Sequence, residues 1–355
     1  MPPRTQQIGP FEILGKPLGS GGMATVFRVR APDGRVHAIK RLHEHLGRDR
    51  QAVDRFKQEF NIGCQMKDHP AFVKMEACEK FDGSWCIIME FVDGITLHDV
   101  LARTLLNPAQ ALALCSSLAD DLKPFHESRF VHRDLKPENL MILPDGRVKI
   151  MDYGVAREDG NRFTQTGTTV GTPLFMAPEQ LLGSKTVDGR ADIYSVGLIL
   201  YRCLAKRDAH GLNAQTPYME LVKARQTRDL KDFPGFKDDG MLQLVRRCLA
   251  ADPTQRYATT VELALAARRH PEHPKHAAEC LRQMLQEAPE RARSPRKKVA
   301  AEAKTEMAPA GDAVDLKSPL SMIWLGAALA IIALIVFCLI CGGPAEALQS
   351  LRDLF

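Results

Sequence analysis

At 355 residues the chain can bury one large core or two lobes, and 45% hydrophobic with 26% charged residues excludes a disordered or fibrous chain. The formal net charge of +5 is small, and basic residues concentrate in Arg291, Arg293, Arg296, Lys297 and Lys298, so no nucleic-acid-binding surface is expected. Nine cysteines, an odd number without paired spacing through the first 280 residues, read as reduced thiols and not as a disulfide framework.

Residues 1–10 are polar and proline-bearing and carry no signal-peptide pattern. From Phe11 to about Val92, short alternating runs broken at Gly19, Gly21-Gly22, Asp33-Gly34 and Asp82-Gly83 predict strands joined by hairpins. One helix interrupts them, from about Ala52 to Lys67, with Phe56, Phe60 and Gly63/Cys64 at helical spacing. Beyond Leu97 helices dominate: Pro108 to His126, Asp188 to Leu204, Met241 to Leu249 and Thr259 to Arg269. Pro108 suits a first helical turn, where its missing N–H does no harm. The expected architecture is α+β: a small β-rich lobe (11–92) and a larger helical lobe (93–268), hinged near Glu90-Phe91-Val92-Asp93-Gly94 around a cleft.

Segment 269–318 reads as a short amphipathic helix (Cys280, Leu281, Met284, Leu285) followed by an Ala-, Pro- and charge-rich linker from Pro289 to Lys317. Between Lys317 and Glu346 there is no charged residue, and Ile323 to Cys341 is almost wholly apolar. A bilayer-crossing helix needs about 20 such residues, so 319–342 is expected to span a membrane, with Trp324 at an interface. The basic cluster at 291–298 predicts a cytoplasmic N-terminal portion, with 343–355 as a short tail outside the cell. That tail is too short to fold as a sensor. Gly326-Ala327 offers close helix packing for a homodimer, a weak signal since small residues are common in spans. Cys338-x-x-Cys341 has zinc or redox spacing, but it lies inside the apolar run without a second pair, and no metal is expected there.

The chemistry concentrates in a few segments. Gly19-Ser20-Gly21-Gly22-Met23-Ala24-Thr25-Val26, preceded by Leu18, lies between two predicted strands, where glycines bring backbone N–H groups close to phosphate oxygens. A glycine-rich hairpin alone is weak evidence. Lys40 ends the hydrophobic run Ala38-Ile39-Lys40, and a buried lysine demands a partner. Glu59 on the interrupting helix is the expected one; Glu44 and Glu76 are alternatives. His132-Arg133-Asp134-Leu135-Lys136-Pro137-Glu138-Asn139, followed by Asp152-Tyr153-Gly154, sets out groups for phosphoryl transfer. Asp134 is placed to meet a substrate hydroxyl and Lys136 to neutralise the transferring phosphate. Asn139 and Asp152 offer oxygen ligands to Mg²⁺ (or Mn²⁺). Arg133 beside Asp134 invites an anion, and Thr164, Thr166, Thr168 and Thr169 lie downstream, so phosphorylation of one of them is expected to order that loop.

With these residues in place, the chain resembles a eukaryotic-like (Hanks-type) serine/threonine protein kinase, in particular the bacterial membrane-anchored branch, over roughly residues 11–268. Gly171-Thr172-Pro173, Ala177-Pro178-Glu179, Asp192-Ile193-Tyr194-Ser195-Val196-Gly197 and Asp252-Pro253-Thr254-Gln255-Arg256 extend the likeness. The resemblance implies the bilobal protein-kinase fold plus one C-terminal transmembrane helix, ATP bound by Leu18 to Val26 with Lys40, and protein substrates phosphorylated on Ser or Thr. It further implies adenine contacts from the Glu90 and Val92 backbone behind Met89, and a Glu179–Arg256 pair. Lys136 and Thr172 resemble the family's serine/threonine markers. Two positions depart from its pattern, Ala24 for a third glycine and Tyr153 for phenylalanine; a buried tyrosine hydroxyl needs a partner. The competing readings are a catalytically weak, membrane-tethered pseudokinase scaffold, against which Lys40, Asp134, Asn139 and Asp152 all stand, and a small-molecule kinase, against which 171–179 stands.

Overall fold

The computed structural model describes residues 6–153, 173–184, 186–227 and 239–287. Two compact units divide the chain at residue 296, and every described residue lies in the first. The expected linker from Pro289, the span at 319–342 and the tail at 343–355 fall outside the described residues; among those described, no helix is long and apolar enough to cross a membrane.

A seven-stranded antiparallel sheet forms the first lobe. Its strands are β1 (Gln7–Ile8), β2 (Phe11–Ile13), β3 (Gly19–Ser20), β4 (Ala24–Arg30), β5 (Val36–Leu42), β6 (Met75–Phe81) and β7 (Ser84–Glu90). The order is β1-β2-β4-β5-β7-β6, with β3 folded back on β4, so β5 is central. The turns fall at the sequence-expected sites: Gly34 (φ +85°) joins β4 to β5, and Asp82-Gly83 (φ +50° and +79°) joins β6 to β7. Positive φ at both central residues matches the twist that a two-residue hairpin requires.

The two-residue period of β5 divides its side chains. Ile39 packs with Ile8, Val29, Cys86 and Ile88 on one face. Ala38 and Leu42 join the main core on the other, and Lys40 shares their face. Helix α1 (Arg50–Gln65) covers that side, opened by Asp49, whose carboxylate accepts from the N–H groups of Gln51 and Ala52. Its buried stripe is Ala52, Phe56, Glu59, Ile62 and Gly63, so one carboxylate is carried inward at the spacing of the apolar residues.

The second lobe is helical. A three-stranded sheet, β10 (Val148–Ile150), β9 (Leu140–Ile142) and β8 (Ile95–Thr96), sits at its start, with α2 (Leu97–Leu101) following β8. Helix α3 (Pro108–Glu127) is opened by an Asn107–Gln110 capping box, with Pro108 in its first turn as expected. Then come α4 (Pro178–Leu181), α5 (Arg190–Ala205), α6 (Tyr218–Thr227), α7 (Asp239–Cys248), α8 (Thr260–Arg269) and α9 (Ala277–Glu287). Helix α5 is buried along nearly its whole length. At Gly197 it passes so close to α7 that a Cβ would stand 2.6 Å from Cys248 Cβ.

Helix α9 lies beyond the sequence-expected domain end at 268, yet it packs on α3 and shares the main core. Leu281 and Met284 are buried, and His273 Nε2 lies 2.9 Å from Ser116 Oγ. The β9–β10 turn abuts it: a Cβ on Gly146 (φ +85°) would fall 1.7 Å from the Ala278 carbonyl. Burying two such side chains contributes about 1.5–3 kcal/mol each. A fragment ending at residue 270 is therefore expected to melt about 5–10 °C below one ending at 288 by thermal denaturation. Equal melting temperatures would show that α9 adds nothing to the core.

Candidate active site

The first group is Lys40. Strand β5 holds it between β4 and β7, opposite Val26 and Ile87. Its Nζ donates to Glu59 Oε1 at 2.6 Å and to Asp152 Oδ1 at 2.9 Å. Glu59 is thus the partner. Of the alternatives, Glu44 pairs with Arg41 at the surface and Glu76 Oε2 lies 3.0 Å from His37 Nδ1. Burial works against the Lys40 charge, but Asp152 and Glu59 outweigh it and raise its pKa above the ordinary lysine value. Burial pushes the Glu59 carboxyl up to about 7, with Lys40 pulling the other way. Burial also acts to raise Asp152, yet Lys40 holds it below the usual carboxylate range.

The Glu59 value carries a pH prediction. Only the ionised carboxylate orients the Lys40 ammonium, so kcat/KM for ATP is expected to fall as pH drops through about 7, and Glu59→Gln should remove that limb. Stability runs the other way. A carboxyl with a raised folded-state pKa favours folding fully below its unfolded value of 4.5 and loses that contribution as pH rises through about 7. Acid loss of activity should therefore occur without loss of the fold. A flat profile from pH 6 to 8, or one unchanged by the substitution, refutes the assignment.

The second group is the loop that carries Asp134. Its Oδ2 accepts from Lys136 Nζ at 2.8 Å and from Asn139 Nδ2 at 3.1 Å, while Asn139 Nδ2 also donates to the Asp134 carbonyl at 2.9 Å. With its NH₂ so used, the Asn139 amide presents its oxygen as the atom for a cation. The Asn139 carbonyl accepts from Met151 N at 2.7 Å, which ties Asp152 to this loop. Asp152 has φ +48°, a strained value for a non-glycine residue, and its carboxylate keeps 44% of its surface accessible. An amide oxygen and a carboxylate suit a hard divalent ion that takes its remaining ligands from phosphates and water.

The loop's own anchor is Asp192, at the start of α5 and fully buried. It accepts from His132 N at 2.8 Å, from Arg133 N at 2.9 Å and from His126 Nε2 at 2.8 Å. Arg133 sits at φ +62°, and its carbonyl accepts from Gln180 Nε2 at 3.0 Å. The motif Asp192–Gly197 had marked this helix, but a lone aspartate opening a helix reads as a first-turn acid, and nothing in its neighbours points to residues 60 positions earlier.

Tyr153 has its partner: the hydroxyl donates to the Val73 carbonyl at 3.1 Å, and the ring stacks on Phe72 and Phe125. Room for it comes from α1, where a Cβ on Gly63 would lie 3.0 Å from Tyr153 Cε2 and 2.3 Å from Met75 Cγ. Burial pushes the phenol well above its ordinary pKa, so it stays a neutral donor. Arg133 Nε is buried and has no hydrogen-bond partner among the described residues. Thr164, Thr166, Thr168, Thr169 and Thr172 lie outside them.

The glycine-rich segment is a hairpin. Gly19 faces Val26 and Ser20 faces Thr25, Gly21 N donates to the Ala24 carbonyl at 2.9 Å, Met23 O accepts from His43 N, and Leu18 N donates to Val26 O. Gly22 lies at its tip, and Ala24 is buried against the core. Met89 and Val92 are buried at the hinge. The Glu90 side chain turns away, accepting from Lys74 N at 2.8 Å and pairing with Lys149. The fully buried Arg256 guanidinium holds Glu179 through two bonds of 2.7 and 2.8 Å.

This geometry matches known proteins. The protein kinase domain family model covers residues 13–271. The chain is 35% identical over 271 residues to serine/threonine-protein kinase pkn2 of Myxococcus xanthus, covering 72% of this chain and 32% of that protein. It is 34% identical over 284 residues to serine/threonine-protein kinase PknB of Mycobacterium tuberculosis, covering 76% and 44%. The chain thus spans less than half the length of these curated relatives. The crystal structure of the Mycobacterium tuberculosis PknI kinase domain superposes with a TM-score of 0.58 at 24% identity, covering 74% of this chain and 97% of that one. The matched region contains both lobes and every group of the Lys40 and Asp134 clusters, and the chain belongs to the protein kinase family.

Proposed function

We propose that this chain is a membrane-anchored serine/threonine protein kinase that transfers the γ-phosphate of ATP to Ser or Thr of other proteins and phosphorylates its own loop. The carrying observation is the Lys40 ammonium held between Glu59 and Asp152, beside the loop that presents Asp134, Lys136 and Asn139. Phosphoryl transfer passes through a loose transition state, so the protein chiefly positions groups and balances charge. Lys40, steadied by Glu59, binds the α- and β-phosphates beneath the 18–26 hairpin. The Asp134 carboxylate orients the substrate hydroxyl and accepts its proton. Lys136 faces the charge that develops on the transferred group. Asn139 and Asp152 would hold Mg²⁺, which when bound neutralises the phosphate oxygens.

Both relatives are serine/threonine-protein kinases, which supports serine/threonine specificity. The buried, unpartnered Arg133 Nε supports control by a phosphate on the downstream threonines. The uncharged stretch from 318 to 345 supports the anchor, and the basic cluster before it supports a cytoplasmic kinase domain. The full chain, incubated with labelled ATP, Mg²⁺ and a generic protein acceptor, is expected to yield phosphoserine and phosphothreonine. Phosphotyrosine alone would overturn the specificity. Absence of loop phosphate between 152 and 179 on active enzyme would overturn the self-phosphorylation. Carbonate-resistant sedimentation with membranes is expected and should vanish when 319–342 is deleted.

A further inference from the structure

Helix α6 carries a cation among the largest fully buried side chains of the described residues, Arg225. The packing around it is apolar: Met176, Leu181, Leu212 and Leu221 belong to a cluster of their own, separate from the main core. Asp208 holds one side of the guanidinium, with Nη2 at 2.7 Å from Oδ2 and Nη1 at 3.4 Å from Oδ1. Nη1 also donates to His210 Nδ1, which fixes the ring proton on Nε2, since a guanidinium has only donors. Asp208 is itself seated, its Oδ1 accepting from His210 N at 2.8 Å and from Leu212 N at 3.2 Å. On its other side the guanidinium reaches out of this island, and Nη2 donates to the Leu174 carbonyl. Leu174 lies in the short turn Pro173–Phe175 that leads into α4. The next carbonyl, that of Phe175, accepts from Ser195 Oγ on α5 at 2.7 Å, so two different helices hold two consecutive carbonyls. Helix α4 is tied to the catalytic loop in turn, because Gln180 Nε2 donates to the carbonyl of Arg133, the residue before Asp134.

We propose that Arg225, seated by Asp208 and His210, is a positioning residue for the turn 173–176: it fixes the Leu174 carbonyl and so shapes the surface that receives the residues flanking the acceptor hydroxyl. This rests on the protein-kinase reading of the site. A buried ion pair is a poor filler for an apolar cluster, because well-packed apolar side chains in its place are often as stable or more so. What the guanidinium adds is a rigid planar fork that reaches a carboxylate, an imidazole and a backbone carbonyl at once. Neither a lysine nor an apolar residue can do this. Arg225 lies outside the Lys40–Glu59–Asp152 group, so its effect falls on the acceptor and not on the nucleotide.

The test compares the full chain, in detergent or nanodiscs, with Arg225→Lys, Arg225→Met and the double variant Arg225→Met/Asp208→Asn. The acceptor is the most active member of a degenerate serine/threonine peptide library. Arg225→Lys keeps a charge opposite Asp208 but loses the fork. It is expected to raise the acceptor KM by roughly 5- to 50-fold, while kcat and the ATP KM move by less than about threefold. Arg225→Met strands the Asp208 carboxylate and should lower the melting temperature as well. Asp208→Asn then removes that charge, and its amide oxygen still accepts from the N–H groups of His210 and Leu212. The double variant should therefore regain melting temperature without regaining the acceptor KM, whereas a merely structural anchor would recover both together. Hydrogen–deuterium exchange on the same proteins needs no phosphotransfer; it should quicken in peptides spanning 173–177 and stay unchanged in β5 and α1. A parent chain that phosphorylates no library member overturns the kinase reading and the proposal with it. With an active parent, the positioning role alone is overturned by an unchanged acceptor KM in Arg225→Lys, by an equal rise in the ATP KM, by acceptor KM recovery in the double variant, or by unaltered exchange at 173–177.

Discussion

Asp134→Asn is expected to lower kcat by about 10²- to 10⁴-fold, the range lost when a positioned proton acceptor is removed. The substitution is nearly isosteric and keeps an oxygen for the bonds from Lys136 Nζ and Asn139 Nδ2. The loop geometry and the melting temperature should therefore stay within error of the parent. What is lost is the negative charge that orients the substrate hydroxyl and takes its proton. The ATP KM should barely move, because Lys40, Glu59 and Asp152 are untouched. Steady-state kinetics on the full chain settle the matter: activity within tenfold of the parent would remove Asp134 from its role.

The largest expected effect on stability is that of Arg256→Met. Arg256 is 2% exposed and donates to Glu179 twice, to the Ala250 carbonyl at 2.8 Å, to the Arg190 carbonyl at 2.9 Å and to the Ala251 carbonyl at 3.2 Å. Its guanidinium also lies over the Tyr194 ring, 4.7 Å from the centroid. Removing one member of a buried pair costs about 3–5 kcal/mol, because the other charge stays buried without compensation. For a unit of this size that lowers the melting temperature on the order of 10 °C. The double variant with Glu179→Gln should recover part of the loss, since no charge is then stranded. A melting temperature within 2 °C of the parent for Arg256→Met would show that the pair is not a stabilising anchor. Activity should fall further than stability requires, as Glu179 follows the segment 173–178 that leads out of the site.

Much of this was legible in the chain itself. The positions of Asp134, Lys136, Asn139 and Asp152 could be read in order because the chemistry needs them on two short, nearly contiguous loops. Helices α3, α5, α7 and α8 lie where periodicity and, for α3, Pro108 placed them. The β6–β7 hairpin follows from Asp82-Gly83, since few other residue pairs accept such a backbone, and the β4–β5 turn from Gly34, whose φ of +85° favours glycine.

Other features needed the folded molecule. Glu59 was the expected partner with Glu44 and Glu76 as alternatives, and only strand order and the roll of α1, which bring Glu59 within 2.6 Å of Lys40, decide among them. Tyr153 departs from the phenylalanine expected there, and its accommodation depends on Val73 and Gly63, residues 80 and 90 positions away. Asp192 gathers the amides of His132 and Arg133 from 60 residues upstream. The amphipathic segment near 280 was visible, but that it joins the core against α3 was not, because an apolar stripe does not say what it covers. The sequence by itself determined which reactive groups exist and in which order local structure presents them, since propensity, capping and turn chemistry act over a few residues. Only the tertiary structure decided which of them meet, because ion pairs, ring stacks and buried anchors such as Asp192 depend on distances that no local pattern encodes.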